Sequence, residues 1–144
     1  MGRLLQAVRG YVQSFTGDPA PTAGLDVNAA HARGMQLLAE HLSPVQRAQY
    51  AQFNYFDVVG GNTGRRYRIR QGKVANVEVF DQTGQCMCLL CFAPRGNLPV
   101  GDVMLAQKLA LESFEVEAIK LAHIAPILPE RLPRGLLCQL RLRR

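Results

Sequence analysis

The chain has 144 residues, 48% of them hydrophobic and 19% charged, with seventeen Lys and Arg against eleven Asp and Glu for a formal net charge of +6. That length suits one domain with a real core rather than two, and the composition excludes the low-hydrophobicity, high-charge class of disordered chains. No apolar run approaches the ~20 residues of a membrane-spanning helix and the first residues lack the apolar stretch of a secretion signal, so a cytoplasmic or virion-associated protein without a membrane partner is expected.

Leu4, Leu5, Val8, Tyr11, Val12 and Phe15 recur at helical spacing and predict an amphipathic docking helix over residues 1–15, in a stretch without acids. Residues 16–25 hold two prolines and two glycines and read as a linker. Asp26 is the expected N-cap of a second helix to about His41, with Val27, Ala30, Met35, Leu38 and Leu42 as its inward side. Ser43 and Pro44 then restart a short helix to Phe53, serine as N-cap and proline at the first helical position, with Ala48, Tyr50 and Phe53 available for packing.

From Tyr55 the period changes to two. Residues 55–59, a glycine turn at 60–64, and residues 66–70 predict a hairpin with Tyr67 and Ile69 on one face and Arg66, Arg68 and Arg70 on the other. Residues 74–80 and 86–92, joined by a turn at 81–84, complete a four-stranded antiparallel meander. Asp102 is the expected cap of the strongest helix, 103–123, whose wide apolar side should cover one sheet face. The fold class is therefore α+β: N-terminal helices, a four-stranded antiparallel meander and a long C-terminal helix, with residues 26–123 as the single domain.

Residues 124–144 form a tail with Pro126, Pro129 and Pro133 and, from 136 onward, alternating leucine and arginine. Either an added edge strand or a disordered basic tail fits it. Arg131, Arg134, Arg141, Arg143 and Arg144 lie in its acid-free end, leaving twelve basic against eleven acidic side chains in residues 1–130.

The run from Tyr55 to Ile69 (YFDVVGGNTGRRYRI), Asn76-Val-Glu, Cys91-Phe-Ala-Pro and the run from Leu98 to Glu112 (LPVGDVMLAQKLALE) resemble a family of small uncharacterised proteins from bacterial and phage genomes. The likeness spans roughly residues 31–123. It implies a shared fold and a phage or mobile-element setting, and it transfers no catalytic residue.

Cys86, Cys88 and Cys91, with His123 or Cys138 as a fourth ligand, invite a zinc reading. The paired knuckle that makes such sites specific is absent, so free thiols serving as small apolar core residues are expected, with no metal and no cofactor. Arg66, Arg68 and Arg70 would stand ~6–7 Å apart along a sheet face, near the phosphate repeat of an extended nucleic acid strand. Pairing with Glu78 and Asp81 across the sheet is the plainer expectation. His31, His41 and His123 lie in no hydrolytic motif and read as surface or helix-end residues, Gly60 to Gly64 as a turn, and Glu112, Glu115 and Glu117 as a solvated acidic patch.

These readings point to a non-enzymatic assembly or protein-binding module. Leu4, Leu5, Val8, Tyr11, Val12, Phe15, Leu140 and Leu142 would meet protein subunits or a second copy. The alternative is nucleic acid binding through Arg66, Arg68, Arg70, Arg141, Arg143 and Arg144; a small enzyme or metal-binding protein comes third, since no positioned acid, base or nucleophile can be named.

Overall fold

Capping chemistry sets the helix starts. The structure, a computed structural model, describes residues 26–92 and 97–125; the helix and linker predicted before residue 26 and the tail after residue 125 lie outside them. Asp26 accepts the backbone N–H of Asn28 at 3.0 Å and opens α1 (Val27–His41). Ser43 and Gln46 form a reciprocal capping box, with Pro44 at the first position of α2 (Pro44–Phe53). Asn54, in the left-handed conformation at φ 56°, ends α2 and turns the chain into the sheet.

The sheet is an antiparallel meander in chain order: β1 (Tyr55–Val59), β2 (Arg66–Arg70), β3 (Val77–Phe80), β4 (Cys86–Cys91) and β5 (His123–Ala125). It has five strands where the periodicity predicted four. The extra strand is made by residues expected to end the long helix and begin the tail, and it pairs Leu90 with Ile124 and Cys91 with His123. β3 starts at Val77 rather than 74, because Ala75 takes a positive φ of 48° and leaves extended geometry.

The predicted helix over 103–123 is two helices, α3 (Val100–Ser113) and α4 (Glu115–Leu121). Phe114, at φ −142° and ψ 42°, breaks them apart while its N–H still bonds the Ala110 carbonyl and its carbonyl accepts from Ala118. Apolar spacing runs straight through this break and so concealed it. α3 also begins earlier than expected: Pro99 is the N-cap position, without a side-chain cap bond, and Asp102 is an acid in the first turn. Burial raises the Asp102 carboxyl above its ordinary value.

One face of the sheet carries the core. Phe56, Val58, Tyr67, Ile69, Val77, Val79 and Leu90 meet Leu38 and Leu42 of the α1 side, Met104, Leu105, Ala110 and Leu111 of α3, and Ala118 of α4. Val27, expected on the inward side of α1, is exposed. α3 lies between α1 and the sheet, so polar side chains on it are buried too. Gln107 exchanges two hydrogen bonds with Asn76, each 2.9 Å, and Lys108 pairs with Glu112 at 2.5 Å; partnering removes most of the penalty of burying such groups.

The two sheet edges differ. At β1, Gln46 Nε2 donates to the Asp57 carbonyl at 2.9 Å and Gln49 Oε1 accepts the Asp57 N–H at 3.0 Å, so α2 covers the edge. β5 ends the other side with three residues and no further strand among the described residues.

Candidate functional site

On the face opposite the core, the alternation of β2 presents Arg66, Arg68 and Arg70, and the β1 and β3 registers set Asp57 and Glu78 directly across from Arg68. Arg68 binds Asp57 through Nε at 2.8 Å and Nη2 at 3.1 Å, while its guanidinium lies 3.9 Å over Tyr55 and 5.2 Å from the Phe80 ring centre. The hydrogen bond to Asp57 raises the Arg68 pKa further. Arg70 pairs with Glu78 at 2.5 Å, and Arg66 covers Phe80 at 4.2 Å with a longer 3.4 Å contact to Asp57.

The cross-strand pairing expected of these arginines is present, with one partner changed. Asp57 of β1 takes the place of Asp81, whose Oδ1 closes its own turn by accepting from the Thr83 and Gln85 N–H groups and the Thr83 hydroxyl; the Thr83 hydroxyl bond comes first among the causes that lower the Asp81 pKa. Substituting Arg68→Ala unpairs Asp57 and uncovers two aromatic rings. Chemical denaturation should register a loss of about 1.5–3 kcal/mol, the range for a hydrogen bond to a charged group; a loss below ~0.5 kcal/mol would show the stack to be decorative.

The glycine turn after β1 is held from beneath by Glu115. That carboxylate, 0% exposed, accepts from the Asn62 N–H at 2.8 Å, the Thr63 N–H at 2.7 Å, the Tyr67 hydroxyl at 2.7 Å and the Thr63 hydroxyl. The solvated patch expected of Glu112, Glu115 and Glu117 is therefore corrected: the break at Phe114 turns Glu115 inward while Glu117 stays exposed. Burial, then the hydrogen bond to Glu115, pushes the Tyr67 hydroxyl well above the ordinary tyrosine range. Every oxygen of this cluster is engaged in fixing the turn, so it is an anchor.

The cysteines do not gather. A bulge between Val79 and Phe80 pairs Cys86 with Phe80 on the arginine face and Cys88 with Val79 on the core face, whereas plain strand alternation put Cys86 and Cys88 on one face. Cys86, Cys88 and Cys91 are partly buried and form no disulfide among the described residues, and burial raises the Cys86 pKa; Cys138 lies outside the described residues. Among the described residues no three of His, Cys, Asp and Glu are grouped to hold a metal ion. His31, His41 and His123 are exposed, and His123 stands in β5 rather than at a helix end; His41 Nδ1 is 2.9 Å from the Leu37 carbonyl.

Exposed large apolar side chains recur along α4 into β5. Val116, Ile119, Leu121 and Ile124 are 40%, 36%, 45% and 48% exposed, four large apolar side chains within nine residues. Ile124 is informative because it stands opposite Leu90, a core residue, and cross-strand partners share a face. It belongs to the core side of the sheet, in the last strand among the described residues. The sequence did not mark this surface, since 116–123 read as the end of one long helix and Ile124 as the first residue of the tail.

Of the residues expected to bind partners, Leu4, Leu5, Val8, Tyr11, Val12, Phe15, Leu140 and Leu142 lie outside the described residues, as do Arg141, Arg143 and Arg144. No helix among the described residues is long and apolar enough to cross a membrane. No family model, no curated protein and no solved structure matches the chain.

Proposed function

We propose that this chain is a non-enzymatic assembly module that joins protein subunits, copies of itself first, through the surface formed by α4 and β5. The observation that carries the reading is the exposure of four large apolar side chains, Val116, Ile119, Leu121 and Ile124, within nine residues, next to a short strand that is the last of the sheet among the described residues. A second copy suits it because the polar rim of α4 holds one exposed acid, Glu117, and one exposed base, Lys120, so two such surfaces meet without net repulsion. The resemblance to small bacterial and phage proteins adds the setting, a phage structural or accessory role.

Nucleic acid binding has less support. Arg68 and Arg70 are committed to Asp57 and Glu78, and the rings of Tyr55 and Phe80 on that face are already covered by guanidiniums rather than open for base stacking. Light scattering on the purified full chain, with absorbance recorded for nucleic acid, separates the readings. A mass above the monomer that persists at high salt is expected, since an apolar contact is little screened. A strict monomer at every concentration contradicts the reading, and a monomer carrying nucleic acid that salt removes replaces it with the alternative.

A further inference from the structure

Two turns at the same end of the meander, the one between β1 and β2 and the one between β3 and β4, are each fixed by a carboxylate. Glu115 holds the first through the Asn62 and Thr63 N–H groups. Asp81 Oδ1 closes the second by accepting from the Thr83 N–H at 2.9 Å, the Thr83 hydroxyl at 2.7 Å and the Gln85 N–H at 2.9 Å. Between these turns lies a cleft of about 650 Å³, walled by Thr63, Gly64 and Arg65 from the first and by Gln82, Thr83 and Gly84 from the second, with Arg66 and Phe80 between them. A cleft whose two walls are set before a ligand arrives loses little freedom on binding.

The charges in the cleft are unequal. Arg65 is exposed, and its guanidinium makes no hydrogen bond or ion pair among the described residues. Arg66 has only the 3.4 Å contact with Asp57, a carboxylate that already takes two shorter bonds from Arg68. Phe80, 4.2 Å from the Arg66 guanidinium, supports it, and the second turn passes close, since a Cβ on Gly84 would stand 3.5 Å from Arg66 Nη2. Asp81 is the one acid lining the cleft, and its Oδ1 is engaged in its own turn. We propose that this cleft binds the phosphate group of a small phosphorylated molecule, held by Arg65 and Arg66. A phosphate monoester carries about −1.5 to −2 charges at neutral pH and three acceptor oxygens, which two guanidinium forks meet with paired N–H donors; a carboxylate brings one charge and leaves the second fork unmatched. The cleft volume falls within the ~300–1,000 Å³ of small-molecule sites, room for an organic group beyond the phosphate. None of the α4–β5 surface lines it, so ligand binding and assembly are independent.

Titration calorimetry on the full chain in phosphate-free buffer tests this, with adenosine 5′-monophosphate, ribose 5-phosphate, inorganic phosphate and adenosine as probes. Both monoesters should bind one to one, inorganic phosphate more weakly and adenosine not at all. Arg65→Ala should weaken monoester binding about tenfold or more, the effect of losing a charge-assisted hydrogen bond. Arg33→Ala, which removes the same charge from an exposed position on α1, should leave it unchanged. Arg66→Gln serves as a second variant should Arg65→Ala fail to fold, and amide shifts at Thr63 to Arg66 and at Thr83 and Gly84 should move as the monoester is added. Absence of monoester binding, or an equal loss with Arg33→Ala, overturns the site. Inorganic phosphate binding as tightly as the monoesters overturns the organic group alone. A single-stranded oligonucleotide without a terminal phosphate that binds more tightly than the monoesters, and loses affinity with Arg65→Ala, overturns the small molecule in favour of nucleic acid.

Discussion

Replacing Glu115 with alanine is expected to remove about 2–4 kcal/mol of stability, because one buried donor loses its partner and three part-buried bonds to a charged group are exchanged for water. Four donors converge on that carboxylate: the N–H groups of Asn62 and Thr63 and the hydroxyls of Thr63 and Tyr67. Without it the buried Tyr67 hydroxyl loses its acceptor, at ~1–3 kcal/mol before relaxation, while the donors of Asn62 and Thr63, in exposed residues, turn to water. Urea unfolding at neutral pH measures the loss, and a change under ~1 kcal/mol would mean that water replaces the carboxylate at little cost. Glu115→Gln keeps the shape, supplies one acceptor instead of two, and should fall between.

The pH dependence has a definite sign. Burial alone would raise the Glu115 carboxyl, but donation from Thr63, Tyr67 and Asn62 outweighs it and holds the group below its ordinary value of 4.5. A folded-state pKa below the unfolded one contributes stability that is present above about pH 4.5 and lost as the pH falls through the folded value. The difference between the unmodified chain and Glu115→Gln should therefore be largest near neutrality and shrink in acid. For Tyr67, whose folded value is raised above the ordinary 10.0, stability is lost as the pH climbs past that point.

Gly101→Ala is expected to cost about 1–3 kcal/mol or slightly more, the range for overpacking a close contact. A Cβ at Gly101 would run into the backbone carbonyl of Gly34, where α1 crosses α3, and backbone cannot rotate away. Gly34→Ala supplies the internal control. Its Cβ would meet the Asp102 side chain at 2.9 Å and Pro99 Cβ at 3.0 Å, and the carboxylate can move aside, so thermal melting should find the Gly34 variant clearly the more stable of the two. Equal losses would mean that the crossing yields as a rigid body rather than at one backbone contact.

What the sequence disclosed and what it hid follow the range of the interactions involved. Asp26 and the Ser43–Pro44 pair announced their helices because capping is local, and the meander was readable because period-two alternation and glycine turns act over a few residues. The role of Glu115 depends on a turn more than fifty positions earlier in the chain, and Glu112 and Glu117 look identical to it in sequence. The signal that could have exposed it is Gly60-Gly61: side chains there would strike the Glu115 carboxylate and the Glu112 carbonyl, so the pair records a close approach by the helical layer. Asp57 as the partner of Arg68 was within reach, since Tyr55, Asp57 and Val59 share the parity of Arg70, Arg68 and Arg66 across the hairpin. Strand β5 was not, because His123-Ile-Ala carries no alternation long enough to separate it from the helix before it.

Amide hydrogen exchange on the full chain, followed residue by residue through a dilution series, tests the assembly surface most directly. The account predicts slow exchange in β5 at high concentration, with protection of His123 to Ala125 falling on dilution while the α3 core around Met104 and Leu111 holds steady. Exchange in β5 that is indifferent to concentration, in a chain whose mass stays that of a monomer, would contradict it.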